Sequence, residues 1–465
     1  MWGAIWILAL PVLFQQFMTA CVGLVDKVLG GSLPSEIALP ALDGISVGSF
    51  VGWFIAIALS GLGTGAQAII ARATGSGNTE TSQRAVGTAL SLAFVWGGIV
   101  GVALYFGIGP LCALVQLDPA ATHFAKVYIE ILAFSMPFCS VMMVGTMCLH
   151  GAGDTIMPAA IAILTNIVNV AASWVLSGVE IRLSEGRLAN PSPIDPLEWG
   201  VQGIAAGTSI AWIVGAIAVV FVLLRGVKDL RLQRRRLLPE RSIAYRIIRV
   251  GIPSFFEGIS MWLANFLVLR FIGDIAVGSA KNAVAHEGLQ GSHIIAIQWE
   301  AFSFLPGFAM GTAAGALAGQ YLGAGNPSLA KRSVIACTGV AILIMGTVGA
   351  CFMLFGETLT AFISDQPAHL EVVPQLLFIC GSMQIFFAIS MVIRQSLRGV
   401  GDTKWAFAIT TVSSYAIRLP LAWYLGVYLG MGLPGIWFGL CSEIVVRAVL
   451  FGARFLNGGW MRITV

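Results

Sequence analysis

The chain has 465 residues, of which 57% are hydrophobic and only 10% are charged, and its mean hydropathy is +0.88. Soluble domains carry roughly 25% charged residues, so this composition excludes an ordinary water-soluble protein and predicts a chain that is solvated by a lipid bilayer. A net charge of +4 is too weak to indicate a nucleic-acid partner, and we predict none.

Twelve apolar runs follow one another along the chain and are predicted to be membrane-spanning helices. About twenty apolar residues cross a bilayer as a helix, and lipid offers no hydrogen-bond partner to bare backbone. The first run begins at Trp2 and is itself long enough to span the membrane, so we do not interpret it as a cleaved leader. The runs cover residues 2–29, 43–74, 84–108, 122–149, 156–178, 201–225, 250–272, 288–321, 331–355, 370–396, 404–427 and 434–455.

A basic segment, from Arg225 to Arg249, separates the sixth run from the seventh. It carries nine of the chain's 26 Lys and Arg residues, and the positive-inside bias therefore predicts that it is cytoplasmic. Six spans on either side then place both termini in the cytoplasm of a multi-pass protein of the cell (inner or plasma) membrane. We interpret the segment as an orientation signal with some attraction to anionic lipid. The predicted organisation is a first lobe at 1–225, a linker at 226–249 and a second lobe at 250–465.

Two sequence patterns occur twice at the same separation. Residues 63–78 and 311–326 share Gly-Thr-x-Ala at the start and Gly-x-Gly-Asn at the end, and residues 149–155 recur at 397–403 as Leu-x-Gly-x-Gly-Asp-Thr, in both cases 248 positions apart. A shared separation over so long a stretch indicates a duplicated unit of six spans. An even number of spans gives both copies the same orientation, so we expect a pseudo-twofold axis along the membrane normal and a cleft between the copies.

Three stretches of the chain resemble the multidrug and toxic compound extrusion (MATE) family, within a superfamily that also contains lipid-linked oligosaccharide flippases. They are LPVLFQQFMTACVGLVDKVLGG, PGFAMGTAAGALAGQYLGAGN, and the pair GAGDT and LRGVGDT. The resemblance covers nearly the whole chain. It implies an all-α integral membrane protein with twelve transmembrane helices in two pseudo-symmetric six-helix bundles, the V-shaped fold of this family. It also implies an antiporter that exports organic cations or drugs against H⁺ or Na⁺.

Asp26 lies in the first run, fifteen residues after Pro11, which matches the position of an acidic residue that the family links to proton or cation coupling. Low dielectric disfavours a bare carboxylate, so a side chain there can load and release a proton. Lys27 stands where the family more often has a small hydroxyl residue, and its ammonium group would favour the ionised carboxylate unless it turns to the outer surface. The alternative is that Asp26 is a hydrated residue near the outer end of the span.

The fifth run contains three polar residues, Asn166, Asn169 and Ser173. Asn169 matches a family asparagine in the same lobe, and Ser173 stands where the family often has a carboxylate or an amide. An amide that forms hydrogen bonds near Asp26 would tune the proton affinity of that carboxylate. The alternative is that these residues only join neighbouring helices by hydrogen bonds.

Three ionisable residues of the second half, Glu257, His293 and Glu300, are further candidates for the transport site. His293 and Glu300 are seven residues apart and share a helix face, so they could form a second protonatable cluster with Glu257. Glu257 could also attract a cationic substrate. The family's sodium-binding subgroup has acids where this chain has Met261 and near Phe387, so a sodium site of that kind is not expected.

Charges inside a membrane are costly, so some of them must pair simply to be tolerated. Glu443 and Arg447 are one helical turn apart and are predicted to form such a pair. Arg270, Arg394 and Arg418 support an alternative function, that of a lipid-linked precursor flippase, because lipid phosphates need cationic walls. This alternative gains if the three arginines are unpaired and loses if they are paired.

We therefore predict a secondary active antiporter with alternating access, which exports cationic or amphipathic small molecules and is coupled to H⁺ rather than Na⁺. Sodium-coupled antiport and the flippase stay as alternatives. No enzyme is predicted, because the chain lacks HExxH and a phosphate loop with its lysine. The eight cysteines contain no CxxC pair, so neither a disulfide framework nor a metal site is expected. The expected partners are a small molecule and the lipid bilayer, without a cofactor, and the protein is predicted to be a monomer.

Overall fold

The structure is a computed structural model that describes residues 1–115, 118–183, 186–279, 289–364 and 366–463. Within these ranges eleven helices are long and apolar enough to cross a membrane. In chain order the helices are α1 (Trp2–Gly31), α2 (Ala38–Gly75), α3 (Thr79–Val115), α4 (Pro119–Gly151), α5 (Ile156–Ser177), α6 (Pro196–Arg225), α7 (Arg241–Ser279), α8 (Leu289–Gly323), α9 (Pro327–Leu354), α10 (Gly356–Ala361), α11 (Pro367–Gly399), α12 (Thr403–Ser413), α13 (Leu419–Ala422) and α14 (Gly432–Leu456). A short antiparallel hairpin, β1 (Ile181–Leu183) and β2 (Gly186–Leu188), lies between α5 and α6.

The eleventh crossing is one rod made of several pieces. α12 continues through a wide π-helical turn at Ser414–Arg418 into α13, and a second π-helical stretch, Trp423–Tyr428, follows. Pro420 explains the interruption, because a proline inside a helix has no N–H for the carbonyl four residues before it and its ring crowds that carbonyl. Together with this rod, the described residues contain the twelve predicted crossings, so the prediction of an all-α fold with twelve membrane helices is confirmed.

The helices form two compact units. The first unit comprises Leu10–Gly251, in which α4 packs against α2, α3 and α6, and α5 packs against α6. The second unit comprises Met1–Ala9 and Ile252–Val465, in which α11 packs against α8, α9 and α14. Because α11 is the counterpart of α4 in the repeat, the duplication is also visible in the helix packing. Met1–Ala9 belongs to the second unit rather than to the predicted lobe at 1–225, because Ile5 and Leu8 are buried in the second unit's core.

The duplicated motifs form the same turn in both copies. After α2 and after α8 stands a glycine with positive φ, Gly77 at +69° and Gly325 at +73°. The asparagine that follows then begins the next helix, because the side-chain Oδ1 of Asn78 and of Asn326 accepts the N–H three residues further on, at 2.9 and 3.0 Å. The pattern Gly-x-Gly-Asn is thus explained by a left-handed helix end joined to a helix N-cap.

α5 and α6 approach each other closely at two glycines of α6. A Cβ atom on Gly207 would overlap the backbone nitrogen and Oγ of Ser173, and one on Gly203 would overlap the carbonyl oxygen of Leu176. Only glycine allows this approach, which is the small-residue packing that joins helices in membranes. The contact also brings Thr208, the neighbour of Gly207, against α5.

We expect Gly207→Ala to lower the free energy of unfolding by about 1–3 kcal/mol, because the added methyl group has to push α5 and α6 apart. Thermal unfolding of the purified protein in detergent would measure the loss. Gly98→Ala is the control, since a Cβ atom at Gly98 meets nothing within 4 Å. Alanine at that helical position should leave stability unchanged or raise it slightly. Equal stability of Gly207→Ala and the unsubstituted protein would contradict the close contact.

Candidate coupling site

Asp26 is a buried carboxylate of the first unit. It lies on α1 with 3% of its surface exposed, which differs from the hydrated position considered as the alternative. Tyr128 of α4 donates a hydrogen bond to Oδ2 at 2.6 Å, and Oγ1 of Thr208 on α6 lies 3.2 Å from Oδ1 and 3.1 Å from Oδ2. Lys27 is exposed, and among the described residues neither it nor any other cation forms an ion pair with Asp26. Asp26 is therefore buried among neutral hydrogen-bonding groups.

A chain of hydrogen bonds links α5 to this carboxylate. Asn169 and Ser173 are both fully buried. Asn169 donates from Nδ2 to Oγ1 of Thr208 at 2.9 Å and to Oγ of Ser173 at 3.3 Å. Because Oγ1 of Thr208 accepts from Asn169, its single hydroxyl proton is directed to Asp26. We call the following residues the first-unit cluster: Asp26, Tyr128, Asn169, Ser173 and Thr208.

Two residues of the first-unit cluster, Tyr128 and Thr208, were not predicted from the sequence. They come from other helices and lie 102 and 182 positions from Asp26. Hydroxyl residues are common in apolar runs, so neither residue stood out. The glycines Gly203 and Gly207, beside Thr208, were the sequence signal that α6 packs closely against another helix. Asn166, which the sequence did single out, is buried, but its Nδ2 donates to the carbonyl oxygen of Ala162 on its own helix at 2.9 Å and not to a residue of the first-unit cluster.

Glu257 of α7 is a buried carboxylate of the second unit, with 2% of its surface exposed. Oε1 accepts a hydrogen bond from Thr410 at 3.1 Å and lies 3.5 Å from Nη1 of Arg394 on α11. The same Nη1 lies 3.3 Å from Sδ of Met261, one turn further along α7. Oε2 is buried and makes no hydrogen bond to the described residues. Arg394 is thus the counter-ion of Glu257, whereas Asp26 has none in the described chain.

His293 and Glu300 of α8 are not brought together with Glu257 by any contact of the described residues. His293 is buried, and its Nδ1 accepts a hydrogen bond from Nε1 of Trp437 on α14 at 3.1 Å. This ring nitrogen is therefore used in packing two helices together. Glu300 is half-buried and lies within electrostatic reach of Arg418. Glu257, His293 and Glu300, which could have formed one cluster, thus have separate partners among the described residues.

Glu443 of α14 is the centre of a buried ion network, with none of its surface exposed. Its Oε1 lies 2.5 Å from Nη2 of Arg447 and accepts a hydrogen bond from Oγ of Ser413 at 2.5 Å. Its Oε2 lies 3.2 Å from Nη2 of Arg418. The pair of Glu443 and Arg447, predicted from their spacing, is confirmed. Two guanidinium groups therefore share one carboxylate inside the second unit.

One short pattern of the sequence is typical of hydrolases. Residues 44–48 read Gly-x-Ser-x-Gly. In the hydrolases that use this pattern, the serine stands on a sharp turn between a strand and a helix. Here the residues lie inside α2, so the serine is an ordinary helical residue and does not indicate a nucleophile.

Known proteins are similar to the chain over almost its full length. The probable multidrug resistance protein NorM of Thermotoga maritima is 28% identical over 459 residues, which cover 98% of this chain and 93% of that protein. The uncharacterized transporter YisQ of Bacillus subtilis is 22% identical over 408 residues, which cover 88% of this chain and 85% of that protein. An outward-facing structure of a multidrug resistance MATE family transporter matches with a TM-score of 0.85 at 20% identity, over 99% of this chain and 96% of that one. A MOP superfamily transporter from Pyrococcus furiosus matches with a TM-score of 0.84 at 20% identity, over 99% and 96%.

A family model described as MatE matches residues 11–175 and 253–424. The first segment begins at Pro11 on α1 and the second at Pro253 on α7, so both begin at corresponding places in the two halves. Each segment contains the first five crossings of its half, in agreement with the duplication. The structural matches show that the twelve-helix fold is shared. Because the family model matches more than half of the chain, the protein is a multi-pass membrane protein that belongs to the MatE family.

Proposed function

We propose that the protein is a secondary active antiporter of the cell membrane, acting as a monomer with both termini in the cytoplasm, that exports cationic or amphipathic small molecules in exchange for protons. The name of the Thermotoga maritima relative, a probable multidrug resistance protein, supports this substrate class. The basic segment between α6 and α7 supports the orientation. The observation that carries the coupling is the burial of Asp26 among neutral partners.

Asp26 suits the exchange of a proton for a physical reason. An ionised carboxylate inside a membrane protein is costly unless a cation neutralises it. The partners of Asp26 are the hydroxyl groups of Tyr128 and Thr208. A hydroxyl group can donate to a carboxylate and accept from a carboxylic acid. The first-unit cluster can therefore hold both protonation states of Asp26 without a change of partners.

The same geometry favours a proton over a sodium ion. A hard metal cation needs several oxygen lone pairs turned towards it, whereas the hydroxyl protons of Tyr128 and Thr208 point at Asp26. Nη1 of Arg394 lies 3.5 Å from Oε1 of Glu257, and this guanidinium group supplies the positive charge that a sodium ion would otherwise have to supply. A guanidinium group that is fixed to α11 makes the neutralisation of Glu257 independent of the sodium concentration.

Exchange then follows from the charge of one carboxylate. Ionised Asp26 favours the binding of a cationic substrate from the inner side. A proton that arrives from the outer side removes this charge and weakens the binding, so the substrate leaves outwards. Release of the proton on the inner side restores the affinity. The proton and the substrate are coupled because each changes the free energy with which the other binds.

The flippase alternative loses support from the arginines of the second unit. Arg394 is paired with Glu257, and Arg418 is paired with Glu443. Arg270 is exposed and takes part in an interaction of its own. A lipid phosphate could bind Arg394 or Arg418 only by displacing the buried carboxylate that is paired with it. The displaced carboxylate would then be left without a counter-ion.

Transport by the purified protein in liposomes tests the proposal, with tetraphenylphosphonium as the cationic probe. With the membrane potential clamped by potassium and valinomycin, a pH gradient that is acidic inside should drive accumulation of the probe. Nigericin, which collapses the pH gradient, should abolish the accumulation. A sodium gradient at uniform pH should drive none. Accumulation that follows the sodium gradient, or no accumulation under either gradient, would overturn the proposal.

A further inference from the structure

The positive charge of the chain is concentrated between α6 and α7. The segment from Arg225 to Arg249 has nine basic and two acidic residues and hence a net charge of +7, whereas the whole chain has +4. The remainder of the molecule therefore carries a net charge of −3. The excess of basic residues lies where two membrane crossings end, which is the level of the lipid headgroups.

This segment is fixed on the first turns of α3. Leu230 is buried, and the backbone N–H of Glu240 donates to Oγ1 of Thr88 at 3.2 Å. The carbonyl oxygen of Arg236 lies against Gly87 so closely that a Cβ atom there would overlap it. The backbone at Arg236 and Glu240 therefore packs on α3, and residues 241–249 form the first turns of α7, so the exposed side chains of the segment stand on ordered backbone rather than on a free loop.

The outer surface of this segment combines guanidinium groups with exposed apolar side chains. Four of its arginines are exposed, and none of them forms an ion pair with an acid of the described residues. Between them, Leu237 is 41% exposed and Leu238 is 83% exposed. We call the following residues the linker surface: Arg231, Arg235, Leu237, Leu238, Arg241 and Arg249.

We propose that the linker surface binds the headgroups of anionic phospholipids. Guanidinium groups match phosphate oxygens in a bidentate way, and basic residues beside a membrane are attracted to its anionic lipids. The two leucines fit the boundary between headgroups and acyl chains, as the apolar side chains of interfacial segments do. A nucleic acid would use the arginines but leave Leu238 in water, so the combination favours a lipid. Because the segment is already fixed on α3, binding orders no loop.

Lipid retention by the full-length protein in detergent tests this proposal. Native mass spectrometry would measure binding in titrations with phosphatidylglycerol and, as the neutral comparison, phosphatidylcholine. We expect the protein to bind phosphatidylglycerol at least about tenfold more tightly. A fourfold variant should lose this preference; it combines Arg231→Gln, Arg235→Gln, Arg241→Gln and Arg249→Gln. A control for position, Lys331→Gln with Arg332→Gln, removes two basic residues from the start of α9 and should keep the preference.

Two further measurements separate this site from an effect of charge on membrane insertion and from a site for free phosphate. Leu237→Asn with Leu238→Asn retains every charge of the linker and should still weaken the binding of phosphatidylglycerol several-fold. Inorganic phosphate at the same concentration should not displace the lipid. The proposal is overturned by an unchanged preference in the fourfold variant, by normal binding in the leucine variant, or by displacement of the lipid by inorganic phosphate.

Discussion

Asp26→Asn is expected to reduce the pH-driven accumulation of tetraphenylphosphonium to the level of liposomes without protein. Asparagine has nearly the shape of aspartate, and its Oδ1 can still accept hydrogen bonds from Tyr128 and Thr208, but it cannot take up or release a proton. The loss should therefore lie in coupling and not in folding. The thermal stability of the variant should equal or exceed that of the unsubstituted protein, because a neutral amide is less costly to bury than a carboxylate.

Two other variants test whether the loss of transport is specific to the carboxyl group of Asp26. Asp43→Asn is the matched control, since Asp43 is an exposed aspartate on α2, and its transport should be normal. Tyr128→Phe removes one donor but leaves the acid in place, so we expect transport to persist with an altered dependence on pH. Normal accumulation by a stable Asp26→Asn protein would remove this carboxylate from the coupling mechanism.

Glu443→Gln is expected to lower the free energy of unfolding by about 3–5 kcal/mol, because it leaves the buried guanidinium group of Arg447 without a carboxylate and removes the carboxylate that is ion-paired with Arg418. Arg447 and Arg418 are both ion-paired with Glu443, at 2.5 and 3.2 Å, and Glu300 also lies within electrostatic reach of Arg418. The addition of Arg447→Met to this variant should recover part of the loss, since it removes the buried charge whose ion-pair partner the first substitution took away. Thermal or denaturant unfolding in detergent would measure both effects.

The chain offers a matched control for the effect of burial. Glu80 and Arg84 form an ion pair with the same spacing of four residues, at 2.6 Å, but both side chains are exposed. Glu80→Gln should cost only about 0.3–0.5 kcal/mol, because water screens an exposed pair. The two pairs differ in burial, in the second guanidinium group beside Glu443, and in Glu240, which lies 3.5 Å from Nη1 of Arg84. If both substitutions cost the same, the buried network does not have the energetic role that its geometry indicates.

The crossings could be predicted from the sequence because an apolar run of membrane length is a local property. The ends of the helices could not, as α3 shows: it runs from Thr79 to Val115, whereas the apolar run covers 84–108. Before the run, the polar residues 79–83 extend the helix without adding to the apolar run, and after it the helix continues through Pro110 into the apolar residues 111–115. The π-helical turns of the eleventh crossing were not predicted either. A proline such as Pro420 can kink, end or widen a helix, and the choice depends on packing around it.

Polar residues within apolar runs revealed which groups are buried, but not which groups meet. Asp26 and Asn169 share one cluster, whereas His293, which is equally buried, is bound to Trp437. Which side chains meet depends on the rotation of each helix about its own axis. Hydrophobic periodicity cannot fix that rotation when nearly every face of a helix is apolar. The duplicated turns were more informative, because a glycine with positive φ followed by a capping asparagine is local geometry.

Because Gly207 lies against the backbone of Ser173, the hydroxyl group of Thr208 is held near Asp26 by the separation of two main chains. We therefore expect random mutagenesis to recover transport-defective alleles at Gly207, a residue without a titratable side chain. A map of such alleles would outline the helix contacts that position the first-unit cluster as well as the cluster itself. Measurements of both ligand affinity and transport rate for each allele would distinguish a substitution that disturbs the helix packing from one that disturbs the cluster directly.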